Sequence, residues 1–394
     1  LPPHSRPITM ARADEELVAA HIKGDVMVPS NMKDVRTGLE GEVLLPKAFS
    51  AGRDNGWRKV SVIPDGNRAV IIPGTEVALG ERTFLVSVKG IGARNPMYGD
   101  GPHRMGGVPA RHEPTFSSEV WFGENPWGAL SRKACMEDMA ITEMADITDA
   151  SINGFHICPM VSASALPDWV MADARDRYWY RRFDGGQFYQ EVRLVPSDVR
   201  LFSQSESTLG ARTPGVLRAF GIDTTGDLDW FLDNYIRSGM AALTLMARTV
   251  KDDKTSGPVA LDYDDVWLDK DSVIAPDGTM FFADLEGLEW VPLGGDPDVA
   301  SRIMMKQFDR NFYEFMYGLD RLLDERDRLA GRTMATKPSI RRKEVAARME
   351  MALAQFPLLT VEASAKALHI LIKPQAGPVR ELDVRMLDLG GDGR

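Results

Sequence analysis

The spacing of apolar and polar positions changes along the chain. Between Gly41 and Lys89 the apolar residues come in short runs broken by turn signals. Val60, Val62 and Ile63 precede Pro64-Asp65-Gly66-Asn67, and Ala69 to Ile72 precede Pro73-Gly74, which predicts short strands joined by tight turns. Thr83 to Lys89 then alternates, with Phe84, Val86 and Val88 on one face and Leu85, Ser87 and Lys89 on the other. The first forty residues carry no such period and are expected to be irregular and peripheral. Residues 90–128 are rich in Gly and Pro and read as a long loop, the kind of segment that often carries function. A helix is expected from about Gly128 to Ala145, with Met136, Met139, Ala140 and Met144 as its apolar stripe. Tyr178 to Phe183 and Phe188 to Val192 flank Asp184-Gly185-Gly186-Gln187, a hairpin pattern whose second arm continues through Arg193-Leu194-Val195-Pro196.

After Leu201 the helical period takes over. Asp227 to Val250 reads as one long helix with Asp at its start, and further helices fit 297–329 and 338–355. Strands, one helix, more strands and then a mainly helical half predict an α+β chain in two lobes. Residues 41–200 form the expected strand-rich N-lobe, 201–394 the helical C-lobe, and 1–40 a peripheral segment.

Charge and composition remove several function classes. The 394 residues carry 47 Lys+Arg against 57 Asp+Glu, a formal net charge of −10, which argues against a mainly electrostatic nucleic-acid binder. No apolar run approaches the roughly 20 residues of a membrane helix, and Leu1-Pro2-Pro3-His4 lacks a secretory layout. Cys135 and Cys158 are too few for a disulfide framework, so a cytoplasmic chain with buried thiols is expected, without nucleic-acid or membrane partners. Neither a P-loop nor a Gly-x-Ser-x-Gly elbow occurs. His156-x-Cys158 lacks zinc-type partners at regular spacing, and His103 and His112 read as solvated loop residues. Arg341-Arg342-Lys343 reads as a solvated helix face, and Met304, Met305, Phe308, Phe312 and Phe315 as helix core.

The most informative stretch is acidic. Asp262, Asp264, Asp265, Asp269, Asp271, Asp277, Asp284, Glu286 and Glu289 are interleaved with two strand-like runs, Ser272 to Ala275 and Thr279 to Ala283. Pro276-Asp277-Gly278 between the runs is a turn, so Asp271 and Asp284 flank a hairpin and meet at its open end. Two carboxylates beside phosphate oxygens suit Mg²⁺, which prefers hard oxygen ligands.

This layout resembles the protein-kinase fold: a catalytic loop, a short hairpin, then a metal-binding Asp with Gly close behind, here Asp284-Leu285-Glu286-Gly287. The resemblance implies a bilobal kinase-like fold. In it Asp265 or Asp264 would be the catalytic-loop carboxylate, and Asp271 and Asp284 would be the metal ligands. Lys89 would be the phosphate-facing lysine, with Glu137 of the next helix holding it. The preceding His of that loop is absent.

A narrower resemblance is to selenoprotein O-like proteins. Lys89-Gly90-Ile91-Gly92 through Pro96 to Asp100-Gly101 is similar to their Lys-Gly-x-Gly…Pro…Asp-Gly stretch. Met136-Glu137-Asp138-Met139 follows in the place of their Ser-Glu-Ala-Met. Arg193-Leu194-Val195-Pro196-Ser197-Asp198-Val199-Arg200 resembles their Arg-Val-Ala-Pro-Ser-x-x-Arg motif. That family has a kinase-like fold, binds ATP in a flipped orientation and transfers AMP to protein hydroxyls. The resemblance therefore implies an ATP- and Mg-dependent transferase in which Arg193 and Arg200 clamp the terminal phosphates, with a protein or small-molecule hydroxyl as acceptor. Conventional phosphotransfer, or an inactive pseudokinase acting as a binding partner, stays open beside it. So does a second register, with Asp252-Asp253 in the catalytic loop and Asp262 at the metal position.

Overall fold

The computed structural model describes residues 6–11, 15–47, 57–65, 68–92, 121–122, 125–126, 128–152, 154–170, 187–201, 209–247, 250–253, 257–262, 268–285, 289–292, 297–332, 338–354, 359–363, 368–372 and 380–384. Its first half contains strands β1 (Glu15–His21), β2 (Val26–Met27), β3 (Glu42–Pro46), β4 (Arg58–Asp65), β5 (Ala69–Leu79) and β6 (Arg82–Lys89). Then come β7 (Trp121–Phe122), β8 (Asn125–Pro126), β9 (Leu130–Ser131), helix α1 (Arg132–Met144), β10 (Ser151–Ile152), β11 (Phe155–His156), β12 (Met160–Ala165) and β13 (Phe188–Val195). The second half contains α2 (Leu209–Ala219), α3 (Thr225–Ala247), β14 (Val250–Asp253), β15 (Gly257–Asp262), α4 (Leu268–Asp271), β16 (Ser272–Ile274), β17 (Met280–Phe282) and β18 (Glu289–Pro292). Helices α5 (Pro297–Leu329) and α6 (Pro338–Leu353) and strands β19 (Leu359–Ala363), β20 (Leu368–Ile372) and β21 (Arg380–Val384) complete it.

The chain is α+β. Its main sheet has nine strands in the order β2-β12-β13-β6-β5-β4-β1-β3, with β9 on β13, and its pairs are antiparallel. The second half is less purely helical than its period suggests, because β14-β15-β18 and β19-β20-β21 form two further sheets. Among the described residues no helix is long and apolar enough to cross a membrane.

Four sequence expectations are corrected here. Residues 15–21 are not peripheral: β1 lies between β3 and β4. Leu17 and Ala19 pack into one core and Val18 and Ala20 into another, so this strand is apolar on both faces and shows no alternation. Pro73-Gly74 is not a turn. It sits inside β5 at a register shift between Ile72 and Glu76, a bulge where proline is tolerated. The chain reverses instead between Leu79 and Arg82. The methionine stripe of α1 fails, since Met136 and Met144 are exposed and the buried face is Ala134, Cys135, Asp138 and Thr142. Cys135 joins an apolar cluster with Leu130, Met160 and Tyr189, against which Met139 also packs, while Asp138 reaches Arg193 of the sheet. Finally, Arg341 and Arg342 are buried, and Arg341 pairs with Asp320, Asp324 and Asp327 on one face of α5.

Other helices lie close to where they were expected, although the one read as Asp227 to Val250 runs from Thr225 to Ala247 and Val250 already belongs to β14. Helix α1 starts where Ser131 Oγ accepts from the Ala134 amide at 3.1 Å. At the start of α3, Thr224 Oγ1 accepts from the Asp227 amide and donates to its carboxylate. Phe312 and Phe315 lie in the helical core. The side chains of Met304, Met305 and Phe308, most of loop 90–128 and the first arm of the 178–192 hairpin lie outside the described residues.

The β16–β17 hairpin positions the site. Ser272 pairs with Phe282, Val273 with Phe281 and Ile274 with Met280 around the Pro276-Asp277-Gly278 turn. Its alternate residues face different cores. Val273, Ala275, Phe281 and Ala283 join the strand-rich core, whereas Ile274, Met280, Phe282 and Leu285 join the helical one. Phe281 meets Phe84 edge-on at 5.6 Å and Phe282 stacks on Phe155 at 4.6 Å. The hairpin is thus a wedge between sheet and helices, held by backbone bonds from Cys158 to Phe282 and from Ile274 to Val199.

Candidate functional site

Register fixes which sheet residues stand together. Lys89 is paired with Ala69 on one side and Glu191 on the other, and Ser87 with Ile71 and Arg193. Asp65 is opposite Ala69. Paired residues share a face, so Asp65, Lys89 and Glu191 form one row, and Ser87 and Arg193 the next. Lys89 ends β6, and the chain leaves through Gly90 at φ +89°, where an added Cβ would lie 2.8 Å from the Tyr189 carbonyl oxygen.

Polar side chains from β4, β6, β13, α1, α4 and the segments after β13 and the hairpin converge on this face. Lys89 Nζ forms an ion pair with Asp284 Oδ1, just beyond the hairpin. Lys89 is almost fully buried, while the Asp284 side chain keeps 32% of its exposure and so reaches the edge of the site. Arg193 Nε lies 2.9 Å from Glu191 Oε1, and its fork lies 3.6 Å from Asp138 Oδ2 of α1. Arg200 donates to Asp65 Oδ2 at 3.0 Å. Asp271 is buried, and its carbonyl accepts from the Ala283 amide, which brings the two ends of the hairpin together.

Carboxylates outnumber cations in the cluster. Asp65, Asp138, Glu191, Asp271 and Asp284 stand against Lys89, Arg193 and Arg200. Burial opposes the charge of Arg200, but Asp65 with its hydrogen bond, and Asp271 beyond, outweigh it and hold the guanidinium above its ordinary range. Cys158 lies among the same groups. Burial pushes its thiol up to about 12 against the opposing pull of Arg193 and Arg200, so it is a neutral, inert thiol.

The sequence-predicted residues fall as follows. Lys89, Asp271, Asp284, Arg193 and Arg200 all lie in or beside this cluster. Glu137 is half-buried on α1, with Lys133 Nζ 3.8 Å from its carboxylate. One residue further, the helix turns about 100° and Asp138 faces the sheet instead. Asp264 and Asp265 lie outside the described residues, as do the side chains of Asp252, Asp253 and Asp262. Sequence reasoning missed Asp65, Asp138 and Glu191. The available signal was the pair Glu191 and Arg193 at the head of the otherwise apolar run from 191 to 195 in β13, a costly placement unless each has a partner.

On the cluster's face the buried Ser87 Oγ and Glu191 Oε2 have no hydrogen-bond partner among the described residues. Unmet buried polar atoms mark a place where an additional polar group completes the site. Among the described residues no group of three or more His, Cys, Asp or Glu stands close enough to hold a metal ion alone. Mg²⁺ commonly takes one or two carboxylates and completes its shell with phosphates and water, so Asp271 and Asp284 are a fitting donor set for it. Compared with protein families, curated proteins and solved structures, the chain shows no match.

Proposed function

We propose that this chain is an ATP- and Mg-dependent transferase with a kinase-like, two-lobed arrangement, moving AMP to a hydroxyl acceptor. The observation that carries the reading is the part-buried Lys89–Asp284 pair, which joins the end of a sheet strand to the residue after the hairpin. In kinase-type sites a strand lysine and a post-hairpin aspartate meet in this way at the nucleotide phosphates. Asp271 and Asp284 would hold Mg²⁺, which when bound neutralises phosphate charge. Lys89 then exchanges its carboxylate partner for a phosphate oxygen. In AMP transfer an acceptor oxygen bonds to the α-phosphorus, the bond to the β-phosphate oxygen breaks, and pyrophosphate leaves. The hydroxyl proton passes to Asp264 or Asp265. Arg193 and Arg200 suit the pyrophosphate because planar guanidinium forks bind phosphate oxygens in pairs.

A specific observation favours a second reading. Both arginines already face carboxylates, Glu191 and Asp138 for one and Asp65 for the other. A site that leaves them so paired binds ATP in the ordinary orientation and transfers the γ-phosphate, or binds without transfer. ATP labelled separately at the α- and γ-phosphates, with a mixed pool of protein acceptors, decides between them. Retained α-label supports AMP transfer, and retained γ-label supports phosphotransfer. Asp284→Asn should abolish Mg-dependent ATP binding by calorimetry while the fold persists. Unchanged affinity would remove the nucleotide reading altogether.

A further inference from the structure

A separate pocket of about 260 Å³ lies at the turn end of the hairpin, opposite Asp284. Arg82 of β6, Asp149, His156 of β11, Asn234 and Arg237 of α3, and Thr279 of the hairpin line it. Its internal pairs account for both nearby carboxylates. Arg82 donates to Asp277 Oδ2 at 2.7 Å and to Thr279 Oγ1 at 3.3 Å, and its Nε lies 3.7 Å from Asp149 Oδ1. His156 Nδ1 lies 3.3 Å from the Asp149 carbonyl oxygen and 3.6 Å from its carboxylate. One N–H of the Asn234 amide goes to the Asp277 carbonyl at 2.9 Å.

Donors remain once these pairs are made. Arg237 is exposed, and among the described residues no ion pair or hydrogen bond holds its guanidinium. The second Asn234 N–H and the Thr279 hydroxyl proton are likewise committed to no acceptor among the described residues. A pocket with paired carboxylates and surplus donors suits an acceptor-rich ligand. We propose that it binds a small tetrahedral oxyanion of the phosphate or sulfate class, anchored by Arg237 and received by Asn234 and Thr279. The pocket uses none of the residues assigned to the nucleotide, so it does not depend on that assignment.

Anion binding here is coupled to a proton. The groups facing His156 are Arg82 of β6, Asp149, Asp277 of the hairpin turn and Arg237 of α3. Burial holds the imidazole below its ordinary value and Arg82 adds to this, while Asp149 and Asp277 oppose. An incoming anion favours the imidazolium, so the bound state carries the higher pKa and affinity rises as pH falls.

Calorimetric titration of the full chain with sodium sulfate, at constant ionic strength, tests this at about pH 6 and about pH 8. Sulfate keeps its charge across that range. Saturable binding is expected, tighter at the lower pH, and about tenfold or more weaker in Arg237→Gln. Asp284→Asn should bind sulfate as the wild type does, which keeps this result apart from the nucleotide assignment. Absence of saturation, or equal affinity in Arg237→Gln, overturns the proposal, as does loss of binding in Asp284→Asn. A pH dependence that persists in His156→Asn overturns the proton coupling.

Discussion

Asp65→Asn tests whether Arg200 is held in the cluster as an ion pair. The two groups are 3.0 Å apart, with side-chain exposures of 14% for Arg200 and 5% for Asp65. At an effective dielectric of about 20 their attraction is about 5.5 kcal/mol, and desolvation opposes part of it. Breaking a buried pair from one side costs about 3–5 kcal/mol. Asn keeps an acceptor oxygen for the guanidinium, and Asp271 still acts on it, so the loss should fall at the low end, about 3 kcal/mol. Equilibrium urea unfolding of the wild type, Asp65→Asn, Arg200→Met and the double variant at pH 7 measures it. The double variant should be more stable than Asp65→Asn alone, because it no longer buries an underpaired charge. A coupling of at least about 2 kcal/mol is expected between close partners of this kind. Additivity within about 0.5 kcal/mol would refute the reasoning. The same variant bears on chemistry: if Arg200 binds terminal phosphates, Asp65→Asn should tighten ATP more than AMP.

Three further outcomes follow from named contacts. Asp138→Asn should cost about 1–3 kcal/mol by thermal unfolding and Glu137→Gln less, since Asp138 is the more buried of the two and lies 3.6 Å from the buried Arg193 guanidinium; a larger loss in Glu137→Gln would contradict the assigned helix face. Gly278→Ala should destabilise by more than about 2 kcal/mol in urea, because φ is +90° and the new Cβ would lie 2.3 Å from the Phe231 carbonyl oxygen; a neutral result would move the turn. Because the folded Cys158 thiol is raised to about 12, the neutral form is favoured by folding. Stability from this source is complete below the unfolded thiol value of about 8.5 and falls above it, by up to about 1.4 kcal/mol per pH unit. Between about pH 8.5 and pH 10.5 the wild type should therefore lose stability more steeply than Cys158→Ala, and parallel curves would disprove the shift.

Where backbone preference and local pattern act over a few residues, the sequence was sufficient. The 272–283 hairpin was legible from Pro276-Asp277-Gly278 between two apolar runs, and its register brings Asp271 and Asp284 to one end as expected. The long helices were legible because a repeated period outlasts local exceptions. The alternation of 83–89 correctly put Ser87 and Lys89 on one face, although that face proved buried as well. Tertiary structure decided the rest. β1 is covered on both sides, and a strand with two apolar faces carries no period to read. The face of α1 was misassigned because its buried side holds Asp138 opposite Arg193, and a charged residue looks like core only once its partner is known. Lys89 finds Asp284, 195 positions away, and Glu191 across the strand. Such pairings depend on which strands become neighbours, a choice made by burial of the whole sheet rather than by any local segment.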